Sequence, residues 1–158
     1  MKFNKNIQIA NKLISDSSPV FIIAEAGVNH NGNISKAKDL IDVAAAAGAD
    51  AVKFQAFKTE NLILDTVKKA PYQQKTTNPK ESQFDMLKRL EINKSQNKEL
   101  IEYCEKNNII FLSTPFDEES IDELNELDVS AFKVASTDTT NLLFLKKIAK
   151  TVLESRFF

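Results

Sequence analysis

Apolar residues fall into two alternating rhythms along this chain. Short runs rich in β-branched and aromatic residues occur at "VFIIAEA" (20–26), "AVKFQAF" (51–57), "IIFLSTP" (109–115) and "SAFKVAS" (130–136). Each is bounded by polar turn residues and has the length of a buried strand. Helix-period segments follow at "SKAKDLIDVAAAAG" (35–48), "SQNKELIEYCEKNN" (95–108), "DEESIDELNEL" (117–127) and "NLLFLKKIAK" (141–150). In the first of these, Ala37, Leu40, Ile41, Ala44 and Ala47 form one apolar stripe, and Gly48 stands where a helix C-cap favours glycine. The third opens on Asp117 and further acids, which suit the positive end of the helix dipole.

Strands alternating with helices predict a parallel sheet with right-handed crossovers. Two architectures compete, the doubly wound open sheet and the (β/α)8 barrel. Helices cover both faces of an open sheet, so its strands should be apolar throughout. Here Lys53 and Gln55 share one face of the second strand while Val52 and Phe54 take the other, and Lys133 interrupts the fourth. A barrel accepts polar side chains near the C-terminal strand ends, where they point into the mouth. No glycine-rich phosphate loop follows the first strand. The prediction is an α/β chain forming four βα units, the N-terminal half of a (β/α)8 TIM barrel, over residues 20–151. A whole barrel takes about 250 residues; this sequence has 158.

Composition adds exclusions. The chain is 42% hydrophobic and 27% charged, with a net charge of -1. Lysines are interleaved with acids, so charge gives no reason to expect nucleic acid or an anionic membrane as a partner. The one cysteine, Cys104, lies in a helical pattern and has no internal partner, which fits a small packed residue in a reducing compartment. No apolar run has signal-peptide or membrane-spanning length, and the cytoplasm is the expected location.

Residues 58–94 join the second strand to the second helix, a connection far longer than usual. It carries Tyr72, Gln73, Asn78, Ser82 and Gln83, then the amphipathic stretch "FDMLKRL". At this end of a barrel such a segment reads as an active-site lid, with a plain surface insertion as the alternative. The strand ends present Glu25, Lys53, Gln55, Ser113, Thr114, Lys133 and Ser136 to one mouth. Two lysines and several hydroxyls suit a small dianion such as a phosphate ester. Glu25 could accept hydrogen bonds from a sugar hydroxyl or relay a proton. Alternatively Lys53 and Lys133 are structural partners of Glu25 in a layered ion-pair core. His30, the one histidine, is expected to face solvent or support a neighbour, and it cannot build a multi-histidine metal site by itself.

Five motifs carry a resemblance: "AEAGVNHNG", "AVKFQ", "FLSTPF", "FKVAS" and the following "TDTTN". In order and spacing, from about residue 5 to residue 151, the chain closely resembles the sialic acid synthase (NeuB-like) family. That resemblance implies an N-terminal hairpin cap within residues 1–19 and, in the full-length family, a homodimer with an antifreeze-like domain. It implies condensation of phosphoenolpyruvate with an N-acetylmannosamine-type hexosamine to give a nine-carbon 2-keto-3-deoxy acid and phosphate. Lys53, Thr114, Lys133 and Ser136 fall on phosphoenolpyruvate-binding positions. Glu25, Gln55 and Asn78 fall on positions around the acceptor sugar, with Glu25 and Lys53 at the reacting centre. A divalent metal, manganese or magnesium, serves the family, but its histidine ligands lie on later strands, so no metal ligand is expected in this chain. Residues 152–158, "VLESRFF", depart from the family pattern and read as a truncation or frameshift tail. The chain alone is therefore expected to be inactive. Two readings compete: a Schiff-base aldolase using Lys53 or Lys133, and a non-catalytic half-barrel that pairs with itself or a separate second half.

Overall fold

The structure is a computed structural model describing residues 5–78 and 81–155; the side chains of 72, 75, 76 and 152–155 are outside that description. Residues 1–4 and 156–158, at the two ends of the predicted hairpin segment and tail, also lie outside it.

The hairpin forms from β1 (Ile7–Ile9) and β2 (Lys12–Ile14), paired antiparallel. Ala10 makes the turn in the left-handed region, at φ 49°. The hairpin is tied to the barrel's N-terminal end through Lys12 Nζ, 3.0 Å from Asp50 Oδ1. Asp50 Oδ2 also accepts the Ile22 backbone N–H at 2.8 Å. That hydrogen bond, with the Lys12 ammonium behind it, lowers the Asp50 carboxyl below its ordinary value.

The core sheet is parallel, in the order β3 (Ile23–Gly27), β4 (Ala51–Ala56), β5 (Ile110–Pro115). Its two faces differ as the sequence predicts. Ala26, Val52, Phe54, Ala56 and Phe111 pack with Ala37, Ile41 and Ala44 of α1 (Ile34–Ala46) and with Leu100 and Cys104 of α5 (Lys94–Lys106). The Phe54 and Phe111 rings stack with centroids 5.6 Å apart. Alternation puts Glu25, Lys53, Gln55, Leu112 and Thr114 on the opposite, inward face. The chain is thus built as the first part of a barrel, with helices on one side of the sheet and the interior on the other.

Helix ends follow local chemistry. Asn33 caps α1 by accepting the Lys36 N–H at 3.1 Å, and Gly48 follows its C-cap at φ 77°. Asn93 and Gln96 form a reciprocal capping box at α5. Asp117 caps α6 (Glu118–Glu126), accepting from the Ser120 N–H at 2.9 Å and the Ser120 hydroxyl at 2.8 Å.

Two expectations need correction. The long connection is not one loop with a single amphipathic stretch. It folds as three short helices, α2 (Thr59–Leu62), α3 (Pro71–Thr76) and α4 (Gln83–Lys88). The run 130–136 does not form a full fourth strand. It touches the sheet through one parallel bridge, Ser113 to Phe132, and through Lys133 N donating to the Ser113 carbonyl at 3.2 Å. Among the described residues it has a pairing neighbour on one side only, and a strand held by one edge forms an incomplete ladder. A 3-10 turn (Ser136–Asp138) follows, and α7 (Leu142–Ser155) runs on without a break past residue 151.

Candidate active site

The first strand ends in a distorted ladder that sets the site. Glu25 pairs with Lys53, but the next pairing is Gly27 with Phe54, so Ala26 is an extra residue and β3 bulges there. Gly27 has φ 54°, which glycine adopts without strain. A Cβ at Gly27 would lie 3.3 Å from Glu25 Oε1 and 3.6 Å from Gln55 Nε2. The Glu25 and Gln55 side chains therefore flank the bare Cα of Gly27. Glu25 also forms an ion pair with Lys53. The Lys53 side chain is 10% exposed and that of Glu25 is 55% exposed, so a buried ammonium meets a carboxylate that reaches solvent. The carboxylate leaving the core strand has its explanation here: it answers a lysine buried beside it.

Two register positions along, Gln55 pairs with Thr114. Thr114 is buried, and its hydroxyl has no hydrogen-bond partner among the described residues. An unbonded buried hydroxyl on the inward face is free to bond a ligand. Lys133 is exposed in the next segment, and alternation from Phe132 puts it on the same face as Thr114.

The structure does not gather every candidate. Ser113 pairs with Phe54 and lies on the helix side of the sheet, fully buried. Ser136 is not at a strand end; it opens the exposed 3-10 turn, where its carbonyl accepts from the Thr139 hydroxyl at 2.9 Å. Runs of Ser, Thr and Asp favour such turns over a ladder. His30 does not face solvent. It is fully buried, its ring centroid lies 6.1 Å from that of Phe54, and its Nδ1 accepts the Gly32 N–H at 3.0 Å. Burial lowers its pKa below 6.5.

Several polar residues of the long connection cap helices instead of facing the mouth. Gln73 Oε1 accepts the Ala70 N–H at 2.8 Å, and Ser82 Oγ accepts the Asp85 N–H at 3.0 Å. The Tyr72 side chain lies outside the described residues. Asn78 is exposed, and its carbonyl accepts from the buried Lys69 ammonium at 2.9 Å. That ammonium also donates to Thr77 Oγ1 at 2.9 Å and lies 3.1 Å from Glu81 Oε2. Sequence reading missed Lys69, which looks like any surface lysine, and Gly27, whose signal was a glycine two residues beyond the strand carboxylate.

Residues 40–154 match the model of the NeuB family. The chain belongs to that family. The N,N'-diacetyllegionaminic acid synthase of Campylobacter jejuni is 59% identical over 129 residues, 82% of this chain and 39% of that protein. The protein of the same name from Legionella pneumophila is 45% identical over 137 residues, 87% of this chain and 38% of that protein. The crystal structure of N-acetylneuraminic acid synthetase from Leptospira borgpetersenii, in complex with citrate, matches with a TM-score of 0.76 at 34% identity, over 92% of this chain and 46% of that one. This NeuB-family chain therefore spans about two-fifths of the length of the curated relatives it matches. Among the described residues, no helix is long and apolar enough to cross a membrane.

Proposed function

We propose that this chain supplies the front half of a barrel that condenses phosphoenolpyruvate with an N-acylated hexosamine, giving a nine-carbon 2-keto-3-deoxy acid and phosphate. The observation that carries the reading is the inward-facing set of Glu25, Lys53, Gln55 and the unbonded Thr114 hydroxyl, with Lys133 beside them. Lys53 and Lys133 are the cations for the carboxylate and phosphate of phosphoenolpyruvate, and the Thr114 hydroxyl adds an oriented donor. Gln55 and Asn78 orient the sugar. Carbon 3 of the enol attacks the aldehyde carbon of the open-chain sugar. Water adds to carbon 2, and the C–O bond to phosphate breaks. The aldehyde oxygen must gain a proton as its charge develops; water supplies it, and the solvent-reaching Glu25 carboxylate, held by Lys53, orients that water.

The family's divalent metal would supply Lewis-acid polarisation of the aldehyde. The residues described here do not fit one. No group of three or more His, Cys, Asp or Glu side chains converges among them, and His30 is buried against Phe54. No step is assigned to a metal in this half.

The test is to join the chain to the remaining C-terminal segment of the Campylobacter relative and follow phosphate release from phosphoenolpyruvate with N-acetylmannosamine. Release should need both substrates, and Lys53→Met should lower kcat/KM at least about 100-fold. The 158-residue chain alone should release little or none. Full activity of the joined Lys53→Met protein, or robust release by the chain alone, would contradict the reading. Borohydride trapping of a carbonyl compound on Lys53 or Lys133 would favour the aldolase instead.

A further inference from the structure

The Lys69 side chain is 4% exposed, against 10% for Lys53, yet the chemistry above makes no use of it. A buried charge is costly unless it is paired and fully hydrogen-bonded. Here the three ammonium protons meet three acceptors: Thr77 Oγ1 at 2.9 Å, the Asn78 carbonyl at 2.9 Å and Glu81 Oε2 at 3.1 Å. No proton is left over for a ligand, which sets Lys69 apart from an anion-binding lysine. All three acceptors belong to the turn between α3 and α4, whereas Lys69 precedes α3. The ammonium therefore ties the two ends of α3 together, and Gln74 Nε2 adds a bond to the Lys69 carbonyl at 3.0 Å. The same turn is fastened outward. Arg89 Nη2 lies 2.8 Å from Glu81 Oε1, and the Arg89 carbonyl sits so close to Gly32 that a Cβ there would be 2.1 Å from it. Gly32 is itself held, by its N–H donating to His30 Nδ1.

We propose that Lys69 is a positioning residue for Asn78. Asn78 is exposed, and an exposed turn residue has many backbone and side-chain states open to it. By holding the Asn78 carbonyl, Lys69 fixes the direction in which the Asn78 side chain leaves the chain. Glu81, Arg89 and Gly32 then seat that turn on the loop after β3, the strand that also bears Glu25. Lys69 touches no substrate; it removes in advance the ordering cost that Asn78 would otherwise meet on binding. The inference rests on the reading above in which Asn78 orients the sugar, and it adds what holds Asn78 ready. A lysine kept for fold stability alone makes the same contacts but has no link to the Asn78 side chain, and this difference is measurable.

The test is a double-mutant cycle on the 158-residue chain, read by saturation-transfer NMR with N-acetylmannosamine and by phosphorus-31 line broadening of phosphoenolpyruvate. Asn78→Ala and Lys69→Met should each weaken the sugar about tenfold, the scale of one hydrogen bond. The double variant should bind it no more weakly than Asn78→Ala alone, because Lys69 acts only through that side chain. Phosphoenolpyruvate broadening should stay unchanged in all three. Additive losses in the double variant, equal losses for both ligands, or full sugar affinity in Lys69→Met while Asn78→Ala is impaired would overturn the inference and leave the acceptor reading standing. Undiminished sugar binding in Asn78→Ala, or no sugar binding by a parent that still broadens phosphoenolpyruvate, would bring down the acceptor reading and the inference with it. If Lys69→Met loses cooperative urea unfolding, Thr77→Val takes its place in the cycle. It keeps the Lys69–Glu81 pair and removes one acceptor, so it should weaken the sugar about threefold, again only while Asn78 is present; an unchanged affinity would overturn the inference.

Discussion

At the residue scale, Glu25 and Lys53 hold the site together by unequal burial. The ammonium is taken out of water and the carboxylate is not. Exposure of Glu25 screens the pair, so a double-mutant cycle of Glu25→Gln and Lys53→Met should give a coupling of about 1 kcal/mol or less in urea unfolding. A coupling several times larger would mean that Glu25 is buried in solution. Gly27 is the quieter partner. Gly27→Ala would force a side chain between Glu25 and Gln55 at a positive φ, and should cost about 1–3 kcal/mol in the same measurement. His30 makes a pH prediction. Its folded pKa lies below the 6.5 of the free side chain, so below that value the unfolded chain binds a proton that the folded chain does not. Stability should therefore be complete above about pH 6.5 and fall as pH drops through the window beneath it. The urea midpoint, compared at about pH 7 and pH 5.5, should decline less steeply in His30→Gln than in the parent. Equal slopes would show that His30 is open to water.

At the scale of elements, Asp117 joins two strand ends. It caps α6 and also accepts the Lys58 backbone N–H at 2.7 Å, just past β4. Asp117→Ala should cost more than an ordinary cap, about 2–3 kcal/mol by urea unfolding, because it also orphans that N–H; a loss under about 1 kcal/mol would contradict the bridging role. Much at this scale could be read from the sequence. Alternation of Lys53 and Gln55 with Val52 and Phe54 told the barrel interior from the helix face, and Gly48 and Asp117 marked helix ends, because period and capping are local signals. The incomplete fourth strand could not be read, because its ladder depends on a neighbour that local propensity does not see. The three short helices of residues 58–94 were hidden by weak periodicity, and their polar residues resembled ligands when Gln73 and Ser82 were caps. The bulge that aims Glu25 was also invisible, since it arises from pairing register.

At the scale of the molecule, the chain presents one inward face that carries Glu25, Lys53, Gln55 and Thr114, with Lys133 in the next segment. Cys104 belongs to the other side of the sheet. It is buried, and its thiol is pushed up to about 12 by desolvation. It should resist thiol reagents in the native protein and react promptly in denaturant; fast native labelling would show that the helix layer is open. We propose that the inward face binds phosphoenolpyruvate through its two lysines, Lys53 and Lys133. The most direct measurement is a phosphorus-31 titration of phosphoenolpyruvate with the purified chain, the Lys53→Met and Lys133→Met variants and the double variant. Saturable broadening by the parent, weakened by each single change and abolished by both, is the predicted result. Broadening that persists undiminished in the double variant, or is absent from the folded parent, would contradict the account.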